Sequence, residues 1–176
     1  MLVRPTIESD LPGIREILEW EILNNVAHFG LNAPDLAEIA NEWSRASGRF
    51  PWFTALDDGG RAIGFAKAGT WKPREAYNRT CEIGIYVRPD VQSCGLGTRL
   101  YSELIPACDA HEFHLLVAGI RLPNDPCVRL HEKFGFRKVA HFNEMGYKFG
   151  EWHDVGYWQR GPAERGANPL PISPTK

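Results

Sequence analysis

One stretch limits the folds open to this chain of 176 residues more than any other: CEIGIYVRPDVQSCGLGTRLY, from Cys81 to Tyr101. Ile83, Ile85 and Val87 alternate through a β-rich run, and Pro89 with Asp90 halts it. Gly95 and Gly97 then open a segment in which Leu96, Leu100 and Leu104 follow helical spacing. The pattern is strand, turn, glycine-rich loop, helix. Backbone N–H groups without helical partners gather at such a helix start, which makes it a place to hold phosphate. The strand leading there carries one acidic side chain, Glu82. An acid or base beside an anion cradle points to group transfer from a phosphate-bearing cofactor.

The length suits one compact domain with a sizeable core. Hydrophobic residues at 43% and charged residues at 24% lie near globular norms, which argues against disorder, repeats and a membrane-spanning chain. A net charge of −2 supplies no basic field for nucleic acid, so no nucleic-acid partner is expected. The first residues lack the charged leader and apolar run of a signal peptide, and no later stretch is long enough to cross a bilayer, so the expected location is cytoplasmic. Cys81, Cys94, Cys108 and Cys127 show no short spacing, so neither a disulfide framework nor a zinc site is expected. His111 and His114 lack the spacing of a metalloprotease helix, and no metal is expected.

Leu2 to Pro5 reads as a short edge strand, and Ser9 and Asp10 offer caps for an amphipathic helix that ends near Asn24 and Asn25. A second helix follows Pro34 and Asp35, with Gly48 as its stop. Trp52 to Leu56 and Ala62 to Trp71, joined by DDGG, form a hairpin whose next partner is the Glu82 strand. After the helix at Thr98–Ala110, the apolar run from Leu115 to Ile120 reads as a central strand buried on both faces. Pro106 predicts a kink or an early end in that helix, since an interior proline costs ~3 kcal/mol or more. Asn124 or Asp125 caps a short helix with Pro126 at its first position, and Gly135 stops it. Two strands, about residues 137–148 and 151–160, complete a single domain at 1–160. The tail at 161–176 has four prolines and no apolar periodicity, and is expected to be extended or mobile.

The paired glycines satisfy neither nucleotide fingerprint: Leu100 stands where a third dinucleotide glycine belongs, and the Walker lysine is missing. Gln92, Gly95 and Gly97 after an acidic strand, followed by Asn124 and LHEKFGF at residues 130–136, instead resemble the GCN5-related N-acetyltransferase superfamily. Pro51 with Trp52, AGTWKPREAY at 68–77, LPNDP at 122–126 and WHDVGYWQ at 152–159 resemble its phosphinothricin acetyltransferase branch more closely. The resemblance covers roughly residues 1–160. The resemblance implies an α/β (α+β) fold with a mixed central sheet of about seven strands, about four helices, and splayed fourth and fifth strands. It implies acetyl-CoA as co-substrate, held at Ile85, Tyr86, Val87, Gln92, Ser93, Cys94, Gly95, Leu96, Gly97, Thr98 and Asn124. It further implies a homodimer.

An amine arrives protonated at neutral pH, so a base must act before nitrogen attacks a thioester in a ternary complex. By the resemblance, Glu82 is that base and His131 is the acid or second proton relay. Lys72, Arg74 and Tyr77 suit the two anionic ends of a glutamate-like acceptor, and Phe29 aligns with an aromatic on the acceptor side. The implied reaction is acetylation of the amino group of a small amino-acid analogue such as phosphinothricin or methionine sulfoximine. The alternatives are transfer to protein N-termini or another small amine, or non-catalytic acyl-CoA binding. The segment from Leu23 to His28 departs from the hydroxyl- and acid-bearing stretch of the family, which changes the wall beside the acceptor. Cys94 at the cradle reads as a small loop filler, and His153 with Asp154 as strand neighbours facing opposite ways.

Overall fold

The computed structural model describes residues 1–91, 95–111 and 113–161. Seven strands form one sheet in the order β1-β2-β3-β4-β5-β7-β6, where β1 is Leu2–Pro5, β2 Trp52–Leu56, β3 Ala62–Thr70, β4 Thr80–Val87, β5 Leu115–Leu122, β6 Arg137–Lys148 and β7 Glu151–Arg160. The helices are α1 (Leu11–Asn24), α2 (Leu36–Ala46), α3 (Leu96–Ala110) and α4 (Asp125–Lys133). All pairings are antiparallel except β4 with β5. The expected mixed sheet of seven strands with four helices is therefore what forms.

Side-chain alternation sends the sheet's two faces into two cores. Phe53, Ala66, Ala68, Cys81, Ile83, Leu116, Ala118, Ile120 and Trp158 are buried with Leu100, Tyr101 and Leu104 of α3. Trp52, Leu56 and Phe65 are buried on the other face with Leu11, Ile14, Leu18 and Ile39 of α1 and α2. Each fully buried aliphatic or aromatic side chain contributes roughly 1.5–3 kcal/mol, so the sheet is held from both sides. In β3 and β4 the register Phe65↔Tyr86, Lys67↔Gly84, Gly69↔Glu82 puts Lys67, Glu82 and Tyr86 on the face toward α1 and α2.

Local expectations hold with four corrections. Asp35 caps α2 reciprocally with Glu38, each side chain taking the other's backbone N–H at 2.8 Å. Asp10, by contrast, makes no side-chain cap to α1; its carboxylate takes both guanidinium nitrogens of Arg4, at 2.6 and 2.8 Å, and the Ile7 N–H. The second correction is at Pro106, where α3 runs on to Ala110, its apolar face fixed by the buried Leu104, Ile105 and Cys108. Packing thus offsets the lost hydrogen bond. Third, Asn124 is the α4 cap, its Oδ1 accepting from Cys127 N–H at 3.2 Å, so Pro126 falls second in the helix rather than first. Fourth, β5 is not buried throughout: Gly119 is exposed on the face opposite Ala118 and Ile120. The tail beyond Gly161 lies outside the described residues.

Candidate active site

Strands β4 and β5 pair only at Thr80↔Leu115, Cys81↔Leu116 and Glu82↔Val117. Beyond that last rung β4 stays paired with β3 and β5 stays paired, on its other edge, with β7 from Leu116 to Leu122, while the two strands part from each other. A fork opens with Glu82 at its vertex. The edge of β4 that faces the fork, residues 83–87, has no ladder partner on that side, and its backbone polar groups require one. A cleft of about 1080 Å³ runs through the fork, lined by Ile85, Tyr86 and Val87 and by Gly119 to Arg121 of β5.

One end of the cleft is an anion cradle. Gly95 caps α3 with φ +79°, a left-handed value that glycine adopts without a Cβ clash. Gly95, Leu96, Gly97 and Thr98 line the cleft here, and the N-cap Gly95 gives the first turn of α3 no side-chain cap. A Cβ on Gly97 would stand 3.0 Å from Leu130 Cδ2, so glycine is what lets α3 and α4 close at this point. Arg129 and Lys133 of α4 bring cationic side chains to the same end, and Lys133 Nζ reaches Thr98 Oγ1 at 3.4 Å. These groups fit a pyrophosphate. Gln92, Ser93 and Cys94, expected in the same cradle, fall outside the described residues.

The other end lies under α1, α2 and the loop between them, where Glu21, Asn25, His28, Phe29, Glu42 and Lys67 line the cleft. Lys67 Nζ donates to Glu42 Oε1 at 2.6 Å and sits over the Trp52 ring at 4.8 Å. Gly30 N–H donates to His28 Nδ1 at 2.9 Å, so the neutral ring carries its proton on Nε2. Burial and the nearby charges of Lys67 and Lys148 hold His28 below the ordinary histidine range. Glu82 lies between the two ends, half-buried. Burial pushes its carboxyl up, against the opposing pull of Lys72 and Lys67. A carboxyl raised in this way is a better proton acceptor than a solvated one.

His131 is 2% exposed and both ring nitrogens are engaged. Nδ1 donates to the Cys127 carbonyl at 2.8 Å, and Nε2 accepts from the Tyr101 hydroxyl at 2.8 Å. Burial lowers its pKa, so the ring is neutral near pH 7. Burial pushes the Cys127 thiol, 3.6 Å from Nδ1, up to about 12. His131 thus communicates with the cleft through Tyr101, which also lines it.

The fork therefore brings together Glu82, Ile85, Tyr86, Val87, Gly95, Leu96, Gly97, Thr98, Asn124, His131 and Phe29. It does not gather Lys72, Arg74 and Tyr77: the chain leaves the sheet after Thr70, and all three are exposed on the connection from 71 to 79. Lys72 caps the Trp71 ring at 4.9 Å and reaches Glu82 only through its charge. Lys67, Glu42, Glu21, Tyr101, Arg121 and Lys148 were not singled out by sequence reasoning, since each sits in a polar face or an apolar run with no motif around it. The alternation of β3 relative to Glu82 is the one signal that could have found Lys67.

A model of the Acetyltransferase (GNAT) family matches residues 14–136. The chain is 39% identical over 172 residues to a phosphinothricin N-acetyltransferase of Streptomyces viridochromogenes, covering 98% of this chain and 93% of that one. It is 34% identical over 159 residues to an L-methionine sulfoximine/L-methionine sulfone acetyltransferase of Pseudomonas paraeruginosa, covering 89% and 92%. A crystal structure of a GNAT superfamily phosphinothricin acetyltransferase from Sinorhizobium meliloti in complex with acetyl-CoA superposes with a TM-score of 0.91 at 32% identity, covering 98% of this chain and 94% of that one. With the fork, the cradle and these relatives in agreement, the chain belongs to the GNAT family, as an acetyl-CoA-dependent N-acetyltransferase.

Proposed function

We propose that the chain acetylates the α-amino group of a small amino-acid analogue of the phosphinothricin or methionine sulfoximine kind. The observation that carries this reading is Glu82 at the vertex of the fork, with a cradle on one side and a pocket walled by Phe29, His28 and Lys67 on the other. That pocket suits a compact zwitterion with a polar tail better than an extended peptide. The relatives named above act, by their names, on such compounds.

Bound acetyl-CoA supplies a thioester carbonyl open to attack by an amine. Glu82 takes the proton that an ammonium must lose before its nitrogen can attack, and the raised carboxyl is suited to hold it. As the C–N bond forms the thioester C–S bond breaks, the departing thiolate takes a proton from the Tyr101 hydroxyl, and the second proton lost by the nitrogen returns the hydrogen-bonded Tyr101–His131 pair to its starting state. Holding both partners in one cleft supplies much of the acceleration through orientation, with no covalent intermediate on the protein. Lys72 tunes Glu82 by its charge, while Arg74 and Tyr77 stand exposed on the 71–79 connection.

The active form is a homodimer. Val139, Phe142, Met145, Tyr147, Phe149 and Trp152 are large apolar side chains, each about half exposed, crowded on the β6–β7 hairpin. Tyr147 and Trp152 are cross-strand partners whose rings lie 5.0 Å apart on one face of the hairpin, and exposed aromatic side chains grouped in this way are characteristic of a surface that meets a partner. The reaction is tested by thiol release from acetyl-CoA against phosphinothricin, methionine sulfoximine, methionine sulfone, common amino acids, polyamines and peptides. Turnover confined to the first three is expected. Turnover confined to peptides or polyamines would overturn the acceptor assignment.

A further inference from the structure

Two ionisable side chains beneath the acceptor pocket play no part in the proton transfers just described. Glu21, on the last turn of α1, is 4% exposed, and Lys148, the last residue of β6, is 2% exposed. They lie 127 positions apart in the chain, yet both are shifted in the same way: burial pushes the Glu21 carboxyl up and the Lys148 ammonium down, each opposed in part by the charge of the other. Desolvation opposes ionisation of both, and Glu21 Oε2 is buried with no hydrogen-bond partner among the described residues, so the charge of Lys148 acts on it at longer range than a direct ion pair. Lys148 Nζ also donates to the carbonyls of Asn25 and His28, at 2.8 and 2.6 Å. These two carbonyls bracket the turn between α1 and the Phe29 wall. Asn25 Oδ1 closes the same turn by accepting from the N–H groups of Val26 and Ala27, at 2.7 and 3.3 Å.

Everything this loop gives to the pocket lies at its far end. His28 sets its ring 5.7 Å from that of Tyr86 on β4. Phe29 packs 6.1 Å from the His153 ring of β7 and over Gly146 of β6, where a Cβ would meet Phe29 Cε1 at 2.3 Å. The loop has no regular secondary structure of its own, so its position depends on tethers from elsewhere. A charged donor shared between two loop carbonyls is a strong one.

We propose that Lys148, with Glu21 as its counter-charge, is the positioning residue of the acceptor pocket: it fastens the 25–30 loop so that His28 and Phe29 stand as the wall against which the amino-acid acceptor is held. This rests on the acceptor assignment given above. The pair leaves the acetyl-CoA cradle untouched, because that end of the cleft is built from α3 and α4. Lys148 therefore governs acceptor recognition and not cofactor recognition.

The test is a double-mutant cycle in the full-length protein. Lys148→Met keeps the length of the side chain and removes the ammonium, leaving the Glu21 carboxylate buried without compensation. A melting temperature lower by roughly 6 °C or more is expected, with an acceptor KM raised about tenfold or more and an acetyl-CoA KM unchanged. Adding Glu21→Gln removes the uncompensated charge. The double variant should recover most of the melting temperature while its acceptor KM stays high, because the two loop carbonyls still lack their donor. Amide exchange at residues 26–30 should be faster in both variants. If the double variant recovers acceptor KM together with stability, Lys148 is only a structural counter-charge and the proposal falls. Should Lys148→Met fail to fold alone, the double variant carries the decisive measurement. Failure of the acceptor assignment itself is distinct: the wild-type protein would turn over none of the amino-acid analogues, which overturns both readings.

Discussion

Glu82 occupies the last rung shared by β4 and β5, where one neighbour is a paired strand and the next is open cleft. That position both desolvates its carboxyl and leaves it within reach of an incoming amine, so raised basicity and access arise from the same break in the ladder. Glu82→Gln keeps the shape and the strand register but removes the base. Turnover should fall by about two orders of magnitude or more, the usual contribution of a positioned base, with acetyl-CoA affinity preserved. Equal losses in both would remove Glu82 from the role. If Glu82 is the base, the same carboxyl sets the acid limb of the pH profile. Because burial raises its pKa, the ionised base appears only above the ordinary carboxylate range, and kcat/KM should climb with pH through that higher window. A limb at the ordinary carboxylate position in kcat/KM, measured at subsaturating acceptor, would contradict a raised Glu82 as the group that sets it. Glu82 was legible from its place on the strand before the glycine pair. Tyr101 was not, because a tyrosine on an apolar helix face looks like any packed aromatic until the fold sets it 2.8 Å from His131 Nε2.

Among the elements, the cradle and the acceptor wall are built differently and should fail differently. Gly95 stands at the start of α3 with φ +79°, and alanine there is strained whatever space surrounds it, at a cost of about 1 kcal/mol or somewhat more. Gly146 lies in β6 against the face of Phe29, where the obstacle to a Cβ is an aromatic ring at 2.3 Å. Gly95→Ala should therefore weaken acetyl-CoA binding with little effect on acceptor KM. Gly146→Ala should do the reverse by pushing Phe29 off its seat. Titration calorimetry with acetyl-CoA and steady-state kinetics with the acceptor separate the two, and a matched effect from both variants would contradict the division of the cleft. The cradle was readable in the sequence because strand, turn, glycines and helix are contiguous from Cys81 to Tyr101. The wall was not, because Phe29 and Gly146 meet across more than a hundred residues of chain.

At the scale of the molecule, the β6–β7 hairpin carries both the exposed apolar face and, at its turn, the lysine that fastens the acceptor loop. If copies pair through that face, Tyr147→Glu with Phe149→Glu should convert a dimer to a monomer in sedimentation velocity, since like charges buried in an apolar interface without partners cost several kcal/mol. A wild-type protein that sediments as a monomer at micromolar concentration would remove the dimer from the account. Within one chain, the order of elements, the mixed sheet and the anion cradle follow from local pattern: alternation, capping residues, glycines and turns act over a few positions, and the sequence by itself determines them. The fork is a different matter. Nothing in the apolar run of β5 says that its pairing with β4 stops after Val117 while its other edge stays on β7 as far as Leu122; that depends on how the strands twist and pack in the finished sheet. Only the tertiary structure decided that Lys67 and Glu82 share a face, that Lys72, Arg74 and Tyr77 lie on the outer connection, and that Lys148 closes on Asn25 and His28. The physical reason is common to all of these. Buried charges and open strand edges are satisfied by whatever group the fold delivers, and distance along the chain carries no information about which group that is.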